Sequence, residues 1–174
     1  REVSRSKRSS SPLAHDVSPD GKWLVYVEEK PWTNQLVNVI YLYDIAAKKS
    51  YPVTSGRFRD DFPAFSTDGK YLAYVSYRAL SYTADTVFSQ LNTTADAKIE
   101  LVPLAKTTPS PLRAKNDEEG QAPVEKPADD KGAKVDLDGI QNRLITVPGV
   151  SGQITQVAMI GDRIVYPMGR QINF

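Results

Sequence analysis

The sequence predicts an all-β chain made of repeated four-stranded antiparallel units, the plan of a β-propeller. Three observations carry this expectation. One hairpin motif occurs twice, 48 positions apart and without a gap. Each copy places Asp-Gly between β-prone apolar runs. The spacing leaves room for four short strands in about 48 residues, the length of a propeller blade.

The first copy is Ala14-His15-Asp16-Val17-Ser18-Pro19-Asp20-Gly21-Lys22-Trp23-Leu24-Val25-Tyr26-Val27. The second is Phe62-Pro63-Ala64-Phe65-Ser66-Thr67-Asp68-Gly69-Lys70-Tyr71-Leu72-Ala73-Tyr74-Val75. Asp20-Gly21 and Asp68-Gly69 read as tight turns, because Asp-Gly tolerates positive φ at low cost. The runs after them are apolar almost without a break, which predicts strands buried on both faces. Two further strands follow the first hairpin, Asn38–Ile45 and Lys49–Val53, with Asp44 closing the turn between them through its side chain.

The second unit reads as the same design stretched. A connection over 77–97 leads to a strand over 98–104. The segment 106–134, rich in Pro, Lys, Asp, Glu and Ala, is expected to be an exposed or disordered loop, passive by default, with a flexible gate or docking tether as the alternative. Asn142–Val147 supplies the fourth strand. A third unit opens with Gln153–Met159, turns at Gly161-Asp162 and continues through Arg163–Tyr166. Blade 1 thus spans about 12–54, blade 2 about 60–148 and the start of blade 3 about 153–174. This partial propeller has about two full blades plus flanking partial ones. A blade cannot bury both faces alone, and Arg1 follows no Met or apolar signal core, so the chain is expected to be a piece of a longer polypeptide.

Composition narrows the function. Twenty-two Lys and Arg against 21 Asp and Glu leave a formal charge of +1, so no global field holds nucleic acid or an anionic surface. No apolar run approaches the roughly 20 residues of a membrane-spanning helix. Cysteine is absent, which removes disulfides, thiolate zinc sites and Cys nucleophiles. The single histidine, His15, rules out a multi-histidine metal centre. No cofactor or metal is expected.

The residues also carry a resemblance. Ser18-Pro19-Asp20-Gly21-Lys22-Trp23-Leu24-Val25-Tyr26 resembles the repeat of TolB-type and tricorn-type β-propellers. Phe65–Leu72 followed by Ser76-Tyr77-Arg78 is similar to the hairpin before the long loop of bacterial tricorn protease homologues. Thr107-Thr108-Pro109-Ser110-Pro111 resembles the same proteins after the strand ending in Pro103-Leu104, and Val135-Asp136-Leu137-Asp138-Gly139-Ile140-Gln141-Asn142-Arg143 resembles them before the strand that ends at Val147-Pro148. The chain departs from the pattern at Thr67, where Pro is usual, and at Gln141-Asn142, where an acidic pair is common. Its 106–134 insertion is also longer.

The resemblance implies a multidomain serine peptidase whose propellers precede a PDZ-like domain and a catalytic domain. The propellers admit, orient or filter peptides, and no catalytic motif of the family falls on these residues. Implied partners are peptides or unfolded polypeptide, the remaining blades and the catalytic domain, with a homo-oligomer left open. The compartment stays open between bacterial cell envelope and cytoplasm. Two rival readings are a stand-alone TolB-like interaction module and the propeller cap of a prolyl-oligopeptidase-type hydrolase.

His15 has no serine in a nucleophile-elbow context, because Gly149-Val150-Ser151-Gly152-Gln153 fails the Gly-x-Ser-x-Gly pattern. Asp136, Asp138 and Gly139 lack the other ligands of a calcium loop and read as a turn. Asp60-Asp61 reads as a turn closure, and Arg1, Arg5, Lys7 and Arg8 as a solvated face. Trp23, Tyr26, Tyr71 and Tyr74 suit packing between blades. Trp32, Tyr77 and Tyr82, expected in connections, are the candidate contacts of a peptide path.

Overall fold

Residues 3, 14–32, 35–85, 90–112, 133–161, 163–168 and 171–173 are described by the structure, a computed structural model. Strands β1 (His15–Val17), β2 (Trp23–Trp32), β3 (Gln35–Asp44) and β4 (Lys49–Pro52) form one antiparallel sheet in chain order. Strands β5 (Arg59–Phe65), β6 (Tyr71–Asp85), β7 (Gln90–Pro103) and β8 (Ile145–Thr146) form a second. A three-stranded sheet follows from β9 (Ala158–Ile160), β10 (Arg163–Met168) and β11 (Gln171–Asn173). The chain is all-β, and its first two sheets are antiparallel and four-stranded, as blades are.

Successive side chains of a strand point to opposite faces, and β6 is buried on both. Leu72 and Tyr74 pack with Val25, Val27, Ile40, Leu42 and Val102 in a core between the first two sheets. Tyr71, Ala73 and Val75 pack on the other side with Ile99, Leu101, Ile154, Val157 and Met159. The apolar run at 71–75 is therefore the central layer of a stack. Burying each large side chain of this kind contributes roughly 1.5–3 kcal/mol. Of the four aromatics expected between blades, Tyr71 and Tyr74 are in these cores and Trp23 packs against the first. Tyr26 instead stacks on Tyr41, centroids 5.7 Å apart.

The Asp-Gly turns are wider than two-residue hairpins. Ser18 N donates to Trp23 O at 2.9 Å, and Ser66 N donates to Tyr71 O at 2.9 Å. Inside each loop the serine hydroxyl donates to the aspartate carboxylate, Ser18 to Asp20 and Ser66 to Asp68, both at 2.6 Å. The same hydroxyls accept the N–H of Trp23 and Tyr71. Gly21 and Gly69 sit at φ 69° and 71°. The seryl oxygen replaces a ladder bond, which is why Ser recurs with Asp-Gly.

Several expected boundaries change. The segment 77–97 is no loose connection: β6 and β7 stay paired to Asp85↔Gln90. The fourth strand of the second sheet shrinks from Asn142–Val147 to Ile145–Thr146, because Ile140–Asn142 forms a 3-10 turn after Gly139 at φ 68°. Asp44 does close its turn, accepting from Ala47 N at 2.8 Å. Asp60 and Asp61 are not turn residues; both are buried within β5.

The described ends of the 106–134 insertion are docked. Tyr71 Oη donates to Pro109 O at 2.7 Å, and Ala133, itself in the first core, donates its N–H to Asp20 Oδ2 at 3.0 Å. The tether expectation for 113–132 lies outside the described residues, as do Arg1, Arg5, Lys7 and Arg8.

Candidate functional site

The first strand of each sheet and the lead-in to the third meet at one cleft. It has a volume of about 530 Å³ and is bordered by His15 and Asp16 of β1, Phe62, Pro63 and Ala64 of β5, and 155–158. The cleft lies where the leading edges of the three sheets come together.

Local geometry explains how these residues reach it. The β5–β6 register shifts between Asp61 and Ala64, and Phe62 there adopts φ 53°. A bulky side chain in that region carries strain of order 1–3 kcal/mol. Pro63 follows, and with no N–H to donate it suits a bulge on an edge strand. The bulge sets Phe62 and Ala64 on the cleft wall. Asp16 locks the other wall, accepting from Phe65 N at 2.8 Å and so tying β1 to β5. At the far border the second and third sheets are joined through Ser66↔Met159, with Thr67 N donating to Met159 O at 3.1 Å. Thr67 Oγ1 also accepts the Gly161 N–H at 2.9 Å, a bond that the usual proline could not form with its side chain.

The three aromatics read as a peptide path are not gathered at this cleft. Trp32 ends β2 opposite Gln35, and Tyr82 is paired with Thr93 in the extension of β6; the side chains of both lie outside the described residues. Tyr77 pairs with Arg59, whose guanidinium sits 5.0 Å over its ring, and its hydroxyl donates to Ile154 O at 3.4 Å. Burial raises the Tyr77 pKa, with Arg59 opposing. All three are strand residues, held there by cross-strand pairing.

Nothing in the described arrangement makes a nucleophile. Ser151 lies against Asp96 at the outer side of β7, its Oγ 3.4 Å from the carboxylate, while His15 is on β1 of the other sheet. Asp136, Asp138 and Gly139 form a turn: Asp136 Oδ2 accepts Lys106 N at 2.8 Å, and Lys106 Nζ donates to Asp138 Oδ2 at 2.5 Å. That lysine, by hydrogen bond first and charge second, lowers the Asp138 pKa. Among the described residues no group of three His, Asp or Glu is placed to hold a metal ion. Arg143 staples the same turn, donating to the carbonyls of Pro103, Leu104, Asp136 and Asp138.

A buried cluster of charged side chains lies apart from the residues singled out in the sequence. Asp60 and Glu100, 2% and 0% exposed, flank Arg78 between the first two sheets. Arg78 Nε is 3.2 Å from Glu100 Oε1 and donates to Ser76 Oγ at 2.8 Å. The Ser76 hydroxyl donates to Asp60 Oδ1 at 2.5 Å, and Thr146 Oγ1 donates to Glu100 Oε2 at 2.8 Å. Burial raises both carboxyl pKa values despite these partners. The available signal was period-two alternation: Ser76 and Arg78 continue the inward face of Leu72 and Tyr74.

Comparison with known proteins agrees with this architecture. No protein-family model matches the chain. Tricorn protease homolog 2 of Streptomyces coelicolor is 32% identical over 140 residues, 75% of this chain and 12% of that protein. Tricorn protease homolog 1 of the same organism is 28% identical over 175 residues, 95% of this chain and 16% of that protein. The crystal structure of the tricorn protease superposes with a TM-score of 0.72 and 21% identity, covering 94% of this chain and 15% of that one. The chain thus spans less than a fifth of the length of each of these proteins. It is a tricorn-like region, folded as propeller blades.

Proposed function

We propose that this chain is the non-catalytic, peptide-handling part of a tricorn-like serine peptidase, admitting and orienting extended polypeptide for a catalytic domain elsewhere. Its partners are then the remaining blades and that catalytic domain. The observation that carries the reading is the cleft of about 530 Å³ formed by β1, β5 and 155–158 at the leading edges of the three sheets. Its wall mixes apolar Phe62, Pro63 and Val157 with uncharged polar Thr155 and Gln156, a surface suited to backbone and side chains of varied sequence.

Ala158→Trp, which fills the exposed border of the cleft, should weaken binding of a fluorescein-labelled unfolded polypeptide by about tenfold in fluorescence anisotropy. The protein should release no peptide fragments. Unchanged binding, or hydrolysis that disappears with Ser151→Ala, rejects the proposal.

A further inference from the structure

The chain contains three Asp-Gly pairs, Asp20-Gly21, Asp68-Gly69 and Asp138-Gly139. An aspartyl carboxyl followed by glycine is open to attack by the next amide nitrogen, because glycine has no side chain to hinder that nitrogen. Whether the attack happens depends on the freedom of the carboxyl, and the structure gives the three pairs different freedom.

In the two hairpin turns the carboxylates are fixed. Asp20 Oδ1 accepts the Ser18 hydroxyl at 2.6 Å and the Lys22 N–H at 3.2 Å, and its Oδ2 accepts the Ala133 N–H at 3.0 Å. Only 10% of that side chain is exposed. Asp68 Oδ1 accepts the Ser66 hydroxyl at 2.6 Å and the Lys70 N–H at 3.1 Å. To reach the glycine nitrogen, each carboxyl must leave a main-chain N–H and a buried serine.

Asp138 is held by less. Its side chain is 91% exposed, and its carboxylate meets the Lys106 ammonium, whose own side chain is 53% exposed. An ion pair between two exposed side chains is weak and readily exchanged for water. The Asp138 carbonyl accepts from Arg143 Nη1 at 3.0 Å, also at an exposed position. The turn's own bonds run from Ile140 N to Leu137 O at 3.2 Å and from Asn142 N to Gly139 O at 3.0 Å. They engage neither the carboxyl nor the attacking nitrogen. Gly139 sits at φ 68°, and a Cβ there would meet nothing within 4 Å, so the peptide between 138 and 139 has room to reorient. Rotation about the side chain and backbone of Asp138 then brings Cγ to the Gly139 nitrogen, the near-attack geometry that governs intramolecular rates.

We propose that Asp138-Gly139 is a site of spontaneous isoaspartyl formation in the folded chain, while Asp20 and Asp68 are protected. The Gly139 nitrogen bonds to Asp138 Cγ; its proton and the carboxyl hydroxyl leave as water, closing a cyclic imide. Water then cleaves the bond between that nitrogen and the former main-chain carbonyl carbon, so the chain now runs through Cγ. One water leaves and one enters, and mass and oxidation state are unchanged. The product has an extra methylene in its backbone and a free carboxylate where the Arg143-bound carbonyl stood. That change falls inside the Arg143 staple, which also holds Pro103, Leu104 and Asp136 at the roots of the 106–134 insertion. The inference is independent of the peptide-handling reading.

The test ages the intact chain at neutral pH and physiological temperature, beside a sample kept in concentrated urea. Tryptic mapping against synthetic aspartyl and isoaspartyl peptides quantifies each site, with Val135–Arg143 reporting Asp138. In the folded chain Asp138 should convert at least about tenfold faster than Asp20 or Asp68. In urea the three rates should agree within about threefold. Gly139→Ala should slow conversion at 138 about tenfold, with circular dichroism confirming the fold. Conversion of Asp20 or Asp68 as fast as Asp138 in the folded chain overturns the inference. So does a folded chain that remains aspartyl at 138, whatever the urea sample does. The same tenfold ordering in urea also overturns it, since local sequence would then be the cause.

Discussion

At the turn of the second hairpin the Ser66 hydroxyl donates to Asp68 Oδ1 and accepts the Tyr71 N–H, with no part of the residue exposed. Removing that oxygen leaves a buried N–H and a carboxylate oxygen without their partner. Ser66→Ala should therefore cost about 1–3 kcal/mol in chemical denaturation. Gly21→Ala tests a different cause at the equivalent turn. At Gly21 an added Cβ meets nothing within 4 Å, so the expected loss of about 1–2 kcal/mol comes from φ 69° alone. A loss near zero in either variant contradicts the assigned cause. The recurrence of Ser, Asp and Gly is visible in the sequence. Which atoms bond is not, because the same residues form two-residue and wider turns, and flanking strand pairing chooses between them.

Strand β6 shows what a whole element adds. Its residues 71–75 alternate between two cores, so neither face tolerates a change of volume. Leu72→Ala should cost about 2–5 kcal/mol, and Ala73→Leu about 1–3 kcal/mol through overpacking on the opposite side. Both are read from denaturation midpoints; a neutral Ala73→Leu would mean that the second face has slack. The unbroken apolar run from Tyr71 to Val75 made this double burial legible. The continuation through Asp85 was missed, although Leu80-Ser81-Tyr82-Thr83-Ala84 alternates with period two. Ala79, Ala84 and Asp85, residues depleted in strands, dilute the strand signal of Tyr82 and Thr83, and pairing with β7 keeps the run extended. Trp32, Tyr77 and Tyr82 were read as loop residues for the same reason.

Between the first two sheets, the whole molecule encloses two carboxylates around one guanidinium. Burial raises the pKa of Asp60 and Glu100 above their unfolded values, near 3.8 and 4.5. The folded state thus binds protons more tightly than the unfolded one. Their contribution is fully present below those unfolded values and is lost as pH rises through the raised folded ones. Stability should rise on acidification from neutral to about pH 4.5, the reverse of ordinary acid lability. Physically, protonating one carboxyl leaves Arg78 with a single matched partner. Asp20 acts oppositely: burial is its largest single influence, but the Ser18 hydroxyl, the Lys22 and Ala133 N–H groups and the Lys22 charge together lower its pKa. Its contribution is lost only below about pH 4. Glu100→Gln should flatten the rise seen in urea denaturation between pH 7 and 5; an unchanged slope would assign it to other groups.

Taken by itself, the sequence determined the all-β class, the repeating hairpin and the double burial of its second strand. These follow from local chemistry: Asp-Gly permits the turn, and contiguous β-branched and aromatic residues require cover on two sides. Only the tertiary structure decided where the first strands converge. The Phe62 bulge, the Asp16 bond to β5 and the Thr67 bond to Gly161 join residues up to 94 positions apart. The same holds for Asp60, Arg78 and Glu100, which share a site because the register of three strands puts them on one face. No spacing rule within a single strand encodes such a meeting, since it depends on how sheets stack.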